Sequence, residues 1–163
     1  MSIESMLGSL DRLRQLHQSL LELSIKKTEL LKSGDIAGLQ KVLKTEQKHI
    51  QAINTVEKQR LALVQEWAEN NQLDPETVNV SSILDHLDEK AAAGLEQHTT
   101  TLAEVIVDLK AQENLNQDLL QQSLQFVQMN LDMIAPSIEQ MNYGNKQNAN
   151  DPKAKRSVFD SKA

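Results

Sequence analysis

His17 and His49 lie almost symmetrically about Gly34. If the chain reverses at that glycine, the two imidazoles face each other across a helical hairpin, with the carboxylate of Glu46 close by. Imidazole and carboxylate donors converging in this way are the chemistry of a zinc site. A second cluster, Asp85-His86-Leu87-Asp88-Glu89, combines acid and base groups as a general acid–base centre would. Each has a plainer reading, and the plainer one is preferred. Judged against the requirements of a metal site, the histidines read as two partly exposed side chains bordering a helical core. Carboxylates gathered at a helix start are favoured there by the helix dipole. The chain has no Gly-rich phosphate loop and no nucleophile motif, so no catalytic residue, metal or cofactor is expected.

Whatever these residues do, helices must position them. The 163 residues are 39% apolar and 25% charged, with five Gly, three Pro and only 2% aromatic residues, a composition poor in turn formers and in the rings that favour sheets. Leu, Gln, Lys, Glu and Ala dominate, and all are good helix formers. The length suits one domain with a real core. The absence of cysteine excludes a disulfide framework and a thiolate metal site, and fits a reducing cytoplasm. No run of about 18 apolar residues occurs, and Met1-Ser2-Ile3-Glu4-Ser5 lacks the basic and apolar regions of a secretory signal. A cytoplasmic location without membrane insertion is therefore expected. The net charge is -6, and it is unevenly spread. From Asn145 onward Lys146, Lys153, Lys155, Arg156 and Lys162 outnumber Asp151 and Asp160, so the body before them is strongly acidic. Such a body repels a phosphate backbone, and nucleic-acid binding is not expected.

The first helix is predicted from about Ile3 to Lys32, with Leu13, Leu16, Leu20, Leu23 and Leu30 in steps of three and four, broken by Lys27. Ser33-Gly34 should end it and Asp35 should cap the next. That second helix reads from about Ile36 to Glu69 on a stripe of Ile36, Leu39, Leu43, Ile50, Ile53, Val64 and Trp67, interrupted by Glu46, Glu57 and Arg60 and flanked by Val42, His49, Val56 and Leu63. So short a turn makes the pair antiparallel. Asp74-Pro75-Glu76 resembles a short helical start, Val78-Asn79-Val80 reads as loop, and Ser82-Ile83-Leu84-Asp85 resembles a capping box. The third long helix is predicted from about Asp88 to Ile134. Its stripe is interrupted around Glu113-Asn114-Leu115-Asn116, and at about 70 Å its C-terminal end should project beyond the hairpin.

Two features near the C-terminus point to a partner. From Leu124 to Ile134 the apolar residues fall on more than one face: Phe126, Met129 and Met133 cannot enter a three-helix core together with Val127, Leu131 and Ile134. Flexible, polarizable methionines suit a surface that adapts to partner helices. After Pro136 the pattern decays, with Ile138, Met141 and Tyr143 as the last apolar residues before a stretch from Asn145 to Lys155 expected to be disordered without a partner. The tail keeps one apolar pair, Val158 and Phe159, after its basic run. The expected organisation is a helical bundle domain over residues 1–137 and a flexible interaction tail over 138–163.

With these residues assembled, the chain resembles the FlgN-type flagellar export chaperones, particularly their Gram-positive branch. The resemblance rests on Leu20-Leu21-Glu22-Leu23-Ser24 with Lys27-Thr28-Glu29-Leu30-Leu31, on Glu46-Gln47-Lys48-His49-Ile50-Gln51-Ala52-Ile53, and on Tyr143-Gly144. Its strongest parts are the run Glu113-Asn114-Leu115-Asn116-Gln117-Asp118-Leu119-Leu120-Gln121-Gln122-Ser123-Leu124-Gln125-Phe126 and the ending Ser157-Val158-Phe159-Asp160-Ser161-Lys162-Ala163. It implies a small cytoplasmic helical protein that binds the hook-associated proteins of the hook–filament junction, prevents their premature assembly and delivers them to the membrane-embedded gate of the flagellar type III export apparatus. It further implies that the C-terminal region grips a terminal helical segment of the client and that the protein docks on the gate's cytoplasmic domain. In some members a C-terminal tyrosine docks on the gate, and Tyr143 is the only tyrosine here.

The expected protein is thus all-α: an antiparallel three-helix bundle with a long hairpin, an extended third helix and a disordered C-terminal tail. The expected partner-binding residues are Leu120, Leu124, Phe126, Val127, Met129, Leu131, Met133, Ile134, Tyr143, Val158 and Phe159. It is expected to be a monomer, with homodimerisation through the same face as the structural alternative. The rival function is a self-associating coiled-coil scaffold or adaptor built on that stripe.

Overall fold

The first helix, α1, spans Ser2–Ser33, the second, α2, spans Ile36–Asn70, and Gly34 makes the reversal between them at φ +70. That left-handed conformation strains any residue with a Cβ. It brings the Asp35 N–H back to the Leu30 carbonyl at 3.1 Å, closing the last turn of α1. The Asp35 carboxylate then accepts from the Gly38 N–H at 2.9 Å and caps α2. The computed structural model describes the backbone of residues 2–145 and the side chains of residues 3–133, and no strand occurs among them.

After α2 the chain turns a second time without glycine. Gln72 takes the left-handed position at φ 58, and the Leu73 N–H reaches the Ala68 carbonyl at 2.9 Å. Asp74-Pro75-Glu76 forms a turn and not the short helix its capping pattern suggested. The Asp74 carboxylate accepts from the Glu76 N–H, and its carbonyl accepts from the Thr77 N–H. A short helix, α3, covers Val80–Leu84, where a loop is expected through Val80, and is capped by Asn79. The capping box pairs Asn79 with Ser82, so Ser82 is its third helical residue and not its cap. Asn caps as well as Ser does, and the earlier position places Ile83 in the core.

The long helix α4 spans Glu89–Asn145, with the Asp88 carboxylate accepting from the Ala91 N–H at its start. It continues past the predicted end at Ile134 and through Pro136, which removes one backbone N–H and its hydrogen bond from the helix. Asn145 closes α4, and the remainder of the stretch expected to be disordered lies outside the described residues.

The chain divides into two units, Met1–Leu120 and Gln121–Ala163. In the first, Leu95 joins the cluster of Met6 and Leu10, and Asn116 reaches Ser24, so this part of α4 runs along α1 and antiparallel to α2. The expected three-helix arrangement is present. Its densest core gathers Met6, Leu10, Trp67, Ile83 and Leu95, with Leu63, Leu73, Leu84 and Leu87 packed around them. The seam of α2 differs from the stripe read in its sequence. Val42, Glu46, Val56 and Trp67 are buried, whereas Ile36, Leu43 and Ile50 are exposed. The seam follows four-three steps through buried Glu46 and half-buried His49 and Arg60, so polar residues occupy seam positions that a search for aliphatic side chains passes over.

Candidate interaction surfaces

One polar interruption from each of the three helical stripes meets the others. Lys27 of α1 extends its ammonium to Glu46 Oε1 of α2 at 2.7 Å and to Glu113 Oε2 of α4 at 3.0 Å. Beside it, Asn116 donates to the carbonyl and hydroxyl of Ser24 at 2.8 and 3.0 Å and accepts from the Thr28 hydroxyl, which in turn accepts from Gln112. Ser24, Thr28, Glu46 and Asn116 are all buried. This layer joins all three helices, and a register shift of any one would leave buried polar groups unpaired.

Burial alone would lower the Lys27 ammonium, but its contacts with Glu46 and then Glu113 outweigh that and hold its pKa above the ordinary 10.5. A raised folded value stabilises the fold fully below the unfolded pKa, and the contribution is lost as pH rises through the folded one. Thermal unfolding of the protein should therefore show a loss of stability above about pH 10.5 that is absent from Lys27→Met.

On the core side of the polar layer lies an apolar cleft of ≈ 410 Å³. Its floor is α1, with Leu10 and Leu13; one wall is α2, from Ile53 to Val64; the other is α4, from Leu95 to Ile106. Both walls run about 18 Å, three helical turns. The charged side chains at the α2 wall are Glu57 and Arg60, which pair with each other. The Arg60 hydrogen bonds hold the Glu57 carboxyl below its usual range and the guanidinium above its own. Thr99 Oγ1 is buried on the α4 wall without a hydrogen-bond partner among the described residues. In the sequence, Leu13, Ile53 and Val64 read as stripe residues and Glu57 and Arg60 as interruptions. The cleft has no signal in the pattern, because periodicity says which face is apolar and not whether facing helices close on it.

A smaller cleft of ≈ 310 Å³ on the other side of the polar layer is lined by Leu31, Leu39, Leu43 and Leu120. Leu120 is the first of the expected partner-binding residues. From there the stripe of α4 continues with Leu124, Val127 and Leu131 in four-three-four steps, and these three are 59%, 52% and 55% exposed. Phe126, Met129 and Met133 form a second stripe on the roughly opposite face and are equally open, Met133 at 72%. Every side chain from 121 to 133 is exposed. Two apolar faces separated by Gln, Ser and Asn are therefore open to solvent on one helix. Ile134 and Tyr143 belong to the α4 backbone, but their side chains, like Val158 and Phe159 altogether, lie outside the described residues.

The candidate chemical clusters have structural partners instead. His17 Nδ1 donates to the Leu13 carbonyl and His49 Nδ1 to the Thr45 carbonyl, each one turn back on its own helix. Glu46 is engaged by Lys27, and no three His, Cys, Asp or Glu side chains converge as metal ligands among the described residues. His86 stands edge-on to Trp67, with ring centroids 6.0 Å apart. Asp88 caps α4. No helix among the described residues is long and apolar enough to cross a membrane.

A family model described as FlgN protein matches residues 1–151 of the chain. The chain is also 35% identical over 167 residues to a protein of Bacillus subtilis (strain 168) named Uncharacterized protein YvyG, with 100% of each sequence covered. No solved structure matches.

Proposed function

The chain belongs to the FlgN family of flagellar export chaperones, and from that premise we propose that it binds the hook-associated proteins of the hook–filament junction in the cytoplasm. It prevents their premature assembly and delivers them to the cytoplasmic domain of the export gate. One observation carries the reading: α4 leaves two apolar stripes exposed between 121 and 133. An assembly protein's terminal helix is apolar along one side and must be covered before export. Laid on Leu120, Leu124, Val127, Leu131 and Ile134, that side leaves water at about 25 cal/mol per Å² gross, less the cost of ordering the client segment. Phe126, Met129 and Met133 adapt to its irregularities. The contact is reversible because it is made by packing alone, so release needs no nucleotide. Residues 138–163 serve as the interaction tail, with Tyr143 for the gate and Val158 and Phe159 as apolar anchors.

Calorimetric titration of the full chain with hook–filament junction proteins tests this. Saturable one-to-one binding with a negative heat-capacity change is expected, since apolar burial produces that sign. Absence of binding to any of them overturns the reading. Repeating the titration with a chain ending at Ser137 should weaken binding if Val158 and Phe159 contribute to the grip.

A further inference from the structure

We propose that the cleft between α2 and α4 receives the uncharged apolar stripe of α4 from a second copy of the chain. The dimer so formed covers Leu124, Val127 and Leu131 when no other partner does. This goes beyond the client-binding reading and does not depend on it.

Three observations on the molecule agree. The first is size. An apolar cavity of roughly 150 Å³ already takes a benzene ring, so ≈ 410 Å³ takes several aliphatic side chains at once. The walls of the cleft extend about 18 Å, and the helix from Leu119 to Leu131 is about 20 Å long.

The second is charge. No Asp, Glu, Lys or Arg occurs from Leu119 to Leu131, although charged residues make up 25% of the chain. Burying an unpaired charge is costly, so a segment that enters an apolar cleft must be neutral. The cleft is matched to such a segment, because Glu57 and Arg60 satisfy each other and ask for no counter-charge. A lysine- or arginine-bearing helix would find no free carboxylate on the α2 wall. Thr99 Oγ1, buried and unpartnered, can instead meet the amides of the glutamines that flank the stripe.

The third is supply. Both surfaces belong to the same chain: the cleft opens to solvent at its rim, where Ile106 is 41% exposed, and Leu124 on the stripe is 59% exposed. Two such insertions, each copy giving its stripe and receiving the other's, cover Leu124, Val127 and Leu131 on both copies.

The absence of native cysteine makes the test direct. Full-length Ile53→Cys, in the cleft, is mixed with full-length Val127→Cys, on the stripe, and treated with a short bis-maleimide. Each chain carries one thiol, so any mixed product joins two copies. The Ile53–Val127 product is expected to dominate over Val127–Val127, and to be lost when Val127→Cys also carries Leu124→Glu on its exposed stripe. Sedimentation at roughly 100 µM should show twice the monomer mass for the unmodified protein, with Leu124→Glu weakening association on the order of 100-fold. A monomer at that concentration overturns the proposal. So does a predominance of Val127–Val127 product, which marks a stripe-to-stripe coiled coil, or equal cross-linking by Met129→Cys on the opposite face. No client is present in any arm, so failure here and failure of the chaperone reading are distinguishable.

Discussion

Replacing Leu124 and Leu131 together by Asp should abolish binding of the hook–filament junction proteins while leaving the fold of residues 2–120 untouched. Both leucines are more than half exposed, so in the free protein the change is a surface substitution, expected to move stability by only about 0.5 kcal/mol per site. In the complex each leucine is buried, and losing two such side chains removes roughly 3–6 kcal/mol before the cost of desolvating two carboxylates. Binding should fall by at least on the order of 1,000-fold, beyond calorimetric detection for a micromolar complex. Titration calorimetry on the double variant, with circular dichroism melting of the same sample, measures both halves. Retained binding with an unchanged melt would move the grip off this stripe. A Phe126→Asp/Met133→Asp pair on the second face then shows which face the client uses.

The second large effect is on stability. Lys27→Met should destabilise the protein by about 3–5 kcal/mol, since it leaves Glu46 buried beside Glu113 without a cation. The side chains of Lys27 and Glu46 are only 12% and 11% exposed, so solvent cannot replace the lost partner. Replacing Lys27, Glu46 and Glu113 all by Leu should instead be neutral or stabilising by about 1–4 kcal/mol, because no charge then needs to be held out of water. Urea unfolding of the three proteins gives the comparison. If Lys27→Met were harmless, the layer would contribute neither stability nor register. If the triple variant were stable but exchanged its amide hydrogens faster around Asn116, the layer's contribution would be register more than energy.

Much of the fold is legible along the chain. Gly34 followed by Asp35 specifies the hairpin, because a left-handed closure and an N-cap are local demands met by local residues. The all-helical class follows from composition and period, and the α4 stripe could be read because apolar residues on opposed faces of one helix cannot all enter one core. Other features were decided only by the tertiary structure. Val42 and Val56, read as flanks, lie in the seam, while Leu43 and Ile50, read as seam, face solvent. Lys27, Glu46 and Glu113 read singly as breaks in three stripes, and become one layer only when helices separated by 86 residues of sequence are placed together. The cleft between α2 and α4 is the extreme case: each of its walls is an ordinary amphipathic helix. Local sequence determines where a helix begins, ends and turns its apolar face, because those depend on neighbours within a turn or two. Which polar group is paired, and which apolar face stays open, depends on side chains from other helices, and only their packing supplies them.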